Sequence, residues 1–188
     1  RVGVVVFPGT NCEHDVAWAV GLLGGEAELV WHDRTDLDGL DAVVVPCGGG
    51  GMAVGLGVVA RQLSPKTKII AVNVDTSASM ALSRKEGQVM TPVVPSSTIA
   101  DSVAGAVSEN TLRLGQKYID DVVVVKEASL KGSIAELLRR HRMVVEGSAA
   151  LGLAAITGGL LPKSLKRVCV VLSGANIDVV RVKDIVAH

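Results

Sequence analysis

Between Asp41 and Gly51 the chain reads DAVVVPCGGGG, and no other stretch restricts its fold so tightly. Ala42 to Pro46 is an apolar run rich in β-branched residues, the pattern of a strand buried on both faces. Gly48, Gly49, Gly50 and Gly51 follow, and then an apolar stretch with helical spacing from Met52 to Leu63. Strand, glycine loop and helix N-terminus together make an anion site. Unpaired N–H groups point outward, no Cβ blocks close approach, and the helix dipole favours negative charge. The same turn also serves tight packing alone, so the residues leave both readings open.

A buried strand needs neighbours, and the chain supplies them. Val2 to Phe7, Ala27 to Trp31, Lys68 to Val72, Asp121 to Val125 and Val168 to Leu172 are short apolar runs bounded by Gly, Pro or polar residues. Helices are predicted between them over 12–23, 52–63, 102–115, 129–141 and 147–156. Thr10-Asn11-Cys12-Glu13 has the form of a capping box for the first of these, and Gly24-Gly25 ends it. His32 to Asp38 reads as a loop. Thr76 to Asp101 reads as a long loop with one short helix, and the residues after Asn176 as a short polar tail. This alternation predicts an α/β three-layer sandwich around a mostly parallel sheet of about six strands. Phe and Tyr occur once each and Trp twice, so Val, Leu, Ile and Ala must build the core, as such sheets require. A chain of 188 residues without a flexible linker suits one domain, 1–188.

Charge and cysteine usage exclude several function classes. The 19 basic and 19 acidic residues cancel, with no long run of either sign, so neither nucleic acid nor an anionic membrane is an expected partner. No apolar run reaches membrane-spanning length, and no signal-peptide pattern opens the chain. Cys12, Cys47 and Cys169 are odd in number and lack metal-ligand spacing. The expectation is a reduced, cytoplasmic protein with no metal site.

Two phrases of the chain carry family resemblances. VGVVVFPGTNCEHDVAWAV and EAELVWHDRTDLDGLDAVVVP, within residues 1–46, resemble the start of the glutaminase subunit of phosphoribosylformylglycinamidine synthase, a class I glutamine amidotransferase. The F-P-G-[ST]-N-C-x-x-D phrase is the specific part. This resemblance implies the first strands and helix of a flavodoxin-like sheet. That family's nucleophilic cysteine on a strand-helix elbow, with its downstream His and Glu, has no match after Gly51, so glutaminase activity is not expected. Cys12 reads as a structural cysteine, although a helix start could stabilise its thiolate. His14 and His32 stand near Asp residues without a third partner and read as surface or loop histidines.

From about residue 48 to 180, GGGGMAVGLG, STIADSVA, DDVVVVKE, MVVEGSAALGLAA and VCVVLSGANID resemble the C-terminal part of threonine dehydratase and serine racemase, the fold-type II pyridoxal-phosphate enzymes. The resemblance implies that Gly48, Gly49, Gly50 and Gly51 bind the cofactor phosphate. It gives Ser173 a hydrogen bond to the pyridine nitrogen and Asn176 a part in fixing that loop. Ser173 could equally cap a helical turn. Glu146 falls in a segment near the cofactor, or is simply a carboxylate at a helix start. The family's cofactor-bearing lysine lies in an S-F-K-x-R phrase and its substrate domain carries S-x-G-N-H; neither occurs here. The chain's own lysines stand mainly in polar or element-end contexts. The Glu of the family's cation site falls at Asn73, which lowers the expected affinity for a hard cation.

Taken together, these resemblances predict a chimera within one domain, amidotransferase-like over 1–46 and pyridoxal-phosphate-lyase-like over 47–188. The expected sheet is a hybrid of flavodoxin-like and fold-type II elements. The expected function is that of an engineered or recombined scaffold without native catalysis, retaining weak binding of pyridoxal phosphate or another small anion at the tetraglycine loop. Surfaces left uncovered would favour self-association as a dimer, with element exchange as one route. The alternative is a pyridoxal-phosphate-dependent threonine or serine ammonia-lyase.

Overall fold

A computed structural model of the chain describes residues 2–6, 14, 18, 22, 26–31, 39–92 and 98–187. The capping box at 10–13, with Cys12, and the loop containing His32 lie outside the described residues. His14, Trp18 and Leu22 are helical and exposed. The chain divides into two compact units, Arg1–Asp38 and Gly39–His188. In the first, β1 (Val2–Val6) and β2 (Ala27–Trp31) pair in parallel, Val2 opposite Ala27 and Val6 opposite Trp31.

The second unit holds a four-stranded parallel sheet in the order β5-β4-β3-β6. Its strands are β3 (Ala42–Pro46), β4 (Lys68–Val74), β5 (Asp121–Val125) and β6 (Val168–Val170). The expected sheet of about six strands is thus corrected to four, with β1 and β2 forming a pair of their own. Periodicity marks which segments are strands but not which edges they share. Both hydrogen-bonding edges of β3 are taken, by β4 with Ala42 opposite Lys68 and by β6 with Ala42 opposite Val168. No edge of β3 remains for the strand that precedes it in sequence.

Helices connect these strands: α1 (Gly51–Leu63), α2 (Ser79–Glu86), α3 (Glu109–Tyr118), α4 (Leu130–His141) and α5 (Leu151–Thr157), with α6 (Val179–Val186) after β6. All five residues of β3 are buried, and β4 is buried after Lys68, as a sheet covered on both faces demands. On one face Val44, Val72 and Val74 meet Leu151, Ala154 and Ala155 of α5, with Val125 and Leu130 completing the aliphatic core. Behind α5, Ile134 and Leu137 of α4 pack with Ile185 of α6. Burying each such Val, Leu or Ile contributes about 1.5–3 kcal/mol, which lets a core almost without aromatics hold.

Two element boundaries differ from the sequence expectation. The helix predicted over 102–115 is a single turn at Asp101–Val103 followed by α3, because Ser108 restarts the chain as an N-cap. Its Oγ accepts from the Thr111 N–H at 3.2 Å, while Thr111 Oγ1 accepts from the Ser108 N–H at 2.8 Å. The expected polar tail contains α6, opened by Asp178, whose carboxylate accepts from the Val180 N–H at 2.7 Å. Such a short helix with charges between its valines leaves little trace in a window average.

Asp41 ties the starts of three strands. Its carboxylate accepts from the N–H groups of Lys166 at 2.6 Å and Arg167 at 2.8 Å, just before β6, and its carbonyl accepts from the Lys68 N–H at 2.9 Å. The N–H of Arg167, then that of Lys166, hold the Asp41 carboxyl below its ordinary value of 3.8. A lowered folded value means that this stabilisation is fully present above 3.8 and lost as pH falls through the folded value. Asp41→Ala is therefore expected to lower the urea midpoint at pH 7, with the gap to wild type closing in strongly acidic buffer. A gap independent of pH would contradict this role.

Candidate functional site

The site begins where β3 runs out. The Cys47 N–H still donates to the Val72 carbonyl at 2.9 Å, continuing the ladder by one bond, and the glycines then turn the chain into α1. Gly50 is the N-cap of α1, with φ +89 and no side-chain cap. A residue with a Cβ is strained in that left-handed conformation. The first bond of the helix is from the Val54 N–H to the Gly50 carbonyl at 2.9 Å. Among the described residues, no backbone acceptor meets the N–H groups from Gly48 to Ala53. Gly48 is required for a different reason. A Cβ there would lie 2.9 Å from the Cα of Val103 and 3.0 Å from its carbonyl oxygen.

The residues from Gly48 to Met52 border a cavity of about 190 Å³, lined also by Pro46, Ser102, Val103, Ser148 and Ser173. Among the described residues, no charged side chain lines it. Any preference for an anion therefore comes from backbone dipoles and the start of α1. Ser148 is 1 % exposed, and its Oγ has no hydrogen-bond partner, the one such side-chain atom found among the described residues. Leaving a buried hydroxyl unpaired costs about 1–3 kcal/mol. Open donors and a wall that excludes a Cβ fit a small organic phosphate.

The sequence-derived residues divide in the structure. Gly48, Gly49, Gly50, Gly51 and Ser173 share the cavity. Asn176 is exposed and not part of the lining; its N–H donates to Glu146 Oε2 at 3.3 Å. Glu146 is buried, and its N–H donates to the Gly174 carbonyl at 3.1 Å. Thus Glu146 holds the Ser173–Asn176 turn from behind, more than a simple helix-start carboxylate would. Cys47 is 1 % exposed, and burial pushes its thiol up to about 12, which keeps it protonated and unsuited as a nucleophile at neutral pH.

Two contributors escaped the sequence reading. Ser148 carries no chemical signature in its segment beyond a hydroxyl beside a glycine. Asn73 drew notice only as a lost cation ligand, yet it is fully buried and supports the loop. Its Nδ2 donates to the Cys47 carbonyl at 2.6 Å, and its Oδ1 accepts from the Ala81 N–H at 2.9 Å. Ser79 Oγ adds a bond to the Gly48 carbonyl at 3.3 Å. With the 47 and 48 carbonyls turned toward Asn73 and Ser79, the glycine N–H groups are left free. Among the described residues, no group of three or more His, Cys, Asp or Glu could hold a metal ion, and no helix is long and apolar enough to cross a membrane.

Comparison with known proteins places these features in context. A family model described as pyridoxal-phosphate dependent enzyme matches residues 5–174. The chain is 35 % identical over 159 residues to the L-threonine ammonia-lyase of Thermotoga maritima, covering 84 % of this chain and 39 % of that protein. It is 29 % identical over 160 residues to human serine racemase, covering 84 % of this chain and 47 % of the relative. The catabolic L-threonine dehydratase of Escherichia coli is 30 % identical over 167 residues, covering 87 % of this chain and 50 % of that protein. Among solved structures, the processed form of threonine deaminase isoform 2 from Solanum lycopersicum superposes with a TM-score of 0.71 at 25 % identity, covering 98 % of this chain and 65 % of that one. Maize serine racemase, at a TM-score of 0.71 and 18 % identity over 97 % of this chain and 68 % of that one, shares the fold.

These findings overturn the expectation of a chimeric scaffold without native catalysis. One family model matches residues 5–174, a range that takes in both sides of residue 46. The chain spans about half or less of the length of the curated relatives it matches. A lysine phrase missing from these 188 residues therefore says nothing about catalysis.

The Asn73 clamp is directly testable. Asn73→Asp removes the donor to Cys47 and sets a carboxylate against a carbonyl, with an expected loss of about 2–4 kcal/mol at pH 7. Burial raises the new carboxyl's folded pKa above its unfolded value, so the loss should shrink at pH 5, where the carboxyl is protonated and can donate. Urea unfolding at both pH values measures this; a variant as stable as wild type at pH 7 would remove Asn73 from the account.

Proposed function

Because the chain belongs to the pyridoxal-phosphate-dependent enzyme family, we propose that it forms the cofactor-phosphate-binding part of an ammonia-lyase acting on threonine or serine. The observation that carries the proposal is the convergence of Gly48 to Gly51, Ser148 and Ser173 on one cavity with open backbone N–H groups and, among the described residues, no charged lining. In this reading the N–H groups from Gly49 to Met52 receive the phosphate, and the α1 dipole adds to their field. Ser173 orients the ring, and Asn176 acts through Glu146 to keep Ser173 in place. Pyridoxal phosphate, when bound, supplies an electron sink for bonds at an amino acid's α-carbon. The greater identity to an ammonia-lyase than to a racemase supports elimination as the reaction.

Asn73 has an amide where that family places a cation-site carboxylate. The site is therefore expected to bind pyridoxal phosphate equally well with magnesium present or chelated.

Equilibrium dialysis with pyridoxal phosphate tests the site. Saturable binding is expected, competed by inorganic phosphate. Gly49→Asp has room for its Cβ, the nearest atom being the Ala106 carbonyl oxygen at 3.6 Å, so the fold should persist. Its carboxylate at the phosphate position should weaken binding by about a hundredfold. Binding that ignores both phosphate and Gly49→Asp would reject the loop as the site. In the full-length protein, 2-oxo acid release from L-threonine or L-serine reads the lyase step; release from neither, with the cofactor bound, would reject elimination while keeping the binding site.

A further inference from the structure

A carboxylate outside the cavity anchors one of its walls. Glu127 opens the single turn Glu127–Ser129 between β5 and α4, and its N–H donates to the Asp75 carboxylate at 3.0 Å, just past the end of β4. Three donors converge on its side chain. Thr76 Oγ1 donates to Oε2 at 2.5 Å, Thr98 Oγ1 to the same oxygen at 3.0 Å, and the Ile99 N–H to Oε1 at 2.6 Å. Burial by itself raises this carboxyl, but the Thr76 hydroxyl, the Ile99 N–H and the Thr98 hydroxyl together hold it below its ordinary value of 4.5. Among the described residues, the bonds to Glu127 are the only ones that residues 98–100 make outside the segment 98–103.

That segment separates two walls of the cavity. Near its start, Ile99 lies against Gly147, where a Cβ would collide with the Ile99 carbonyl, and the next residue is the cavity-lining Ser148. At its end, Val103 lies against Gly48, where a Cβ would come within 2.9 Å of the Val103 Cα. Between them the Ala100 N–H donates to Thr98 Oγ1 at 3.1 Å and the Val103 N–H to the Ala100 carbonyl at 3.2 Å, so the segment is one short unit. Ser77 Oγ holds its far end through the Val103 carbonyl at 3.3 Å, and Glu127 holds its near end. Backbone meets backbone on both sides, with no flexible side chain to absorb a displacement. Resting on the binding site proposed above, we infer that Glu127 is a positioning residue for it, fixing the gap between the glycine loop and the Gly147–Ser148 turn. Glu127 does not itself line the cavity and acts through Ile99 and Val103.

Glu127→Ala and Glu127→Gln separate positioning from plain support of the fold. Glutamine keeps the shape and can accept from the Ile99 N–H while its amide donates to both threonine hydroxyls, so it should bind like wild type. Alanine removes all three bonds. At a temperature where circular dichroism shows Glu127→Ala fully folded, its affinities for inorganic phosphate and pyridoxal phosphate should both fall about tenfold. Without ligand, its Gly48 and Ser148 amide resonances should move. Wild-type affinity in folded Glu127→Ala, an equal loss in Glu127→Gln, or an unmoved resonance at Gly48 or Ser148 would overturn the inference. If Glu127→Ala does not fold, Thr98→Val decides, with a loss of about threefold expected and unchanged affinity overturning it. A wild-type chain that binds neither probe, with both resonances moved in the variant, sinks the cofactor reading and leaves the positioning role standing.

Discussion

Everything at the site depends on two carbonyls, those of Cys47 and Gly48, being drawn away from the cavity. Asn73 and Ser79 take them, through hydrogen bonds of 2.6 and 3.3 Å. A peptide unit that turns its carbonyl one way presents its N–H the other, so the buried amide of Asn73 fixes the side on which the glycine loop offers its donors. The loop would otherwise have many conformations, because glycine has the largest backbone freedom to lose. Asn73 also holds the Ala81 N–H, which couples the loop to α2 as well as to β4. The binding surface is thereby placed by the sheet and not by its own sequence.

A site built in this way is electrically plain. Among the described residues no charged side chain lines the cavity, and the thiol of Cys47, next to Gly48, is kept protonated by burial. Attraction for an anion would then rest on partial charges that do not titrate, so the proposed phosphate binding should vary little with pH outside the ligand's own ionisation.

How far the sequence announced all this varies by residue. The βα unit at 42–63 was legible, since an all-apolar run, four glycines and a helical pattern admit few folds. Ser173 and the glycines are singled out by resemblance, and the structure sets them along one cavity, their binding role being the proposal made above. Strand partnership was not, because pairing depends on which edges of β3 are free, and β6 reaches one of them from more than a hundred residues downstream. Ser148 and Asn73 were hidden for a related reason. Their importance lies in being buried beside particular backbone groups, which no local pattern records. The reading of an inert chimera went astray because it gave weight to phrases missing from a chain that spans only part of its relatives' length.

The central claim is that the N–H groups at the start of α1 are the anion-binding surface. Backbone amide NMR during titration with inorganic phosphate measures this most directly. The account predicts the largest saturable shifts at Gly49 to Met52, with smaller ones at Ser148 and Ser173. Shifts centred instead on the separate cavity bordered by Gln88, Glu109 and Arg113, or no saturable shift at the glycine loop, would contradict it.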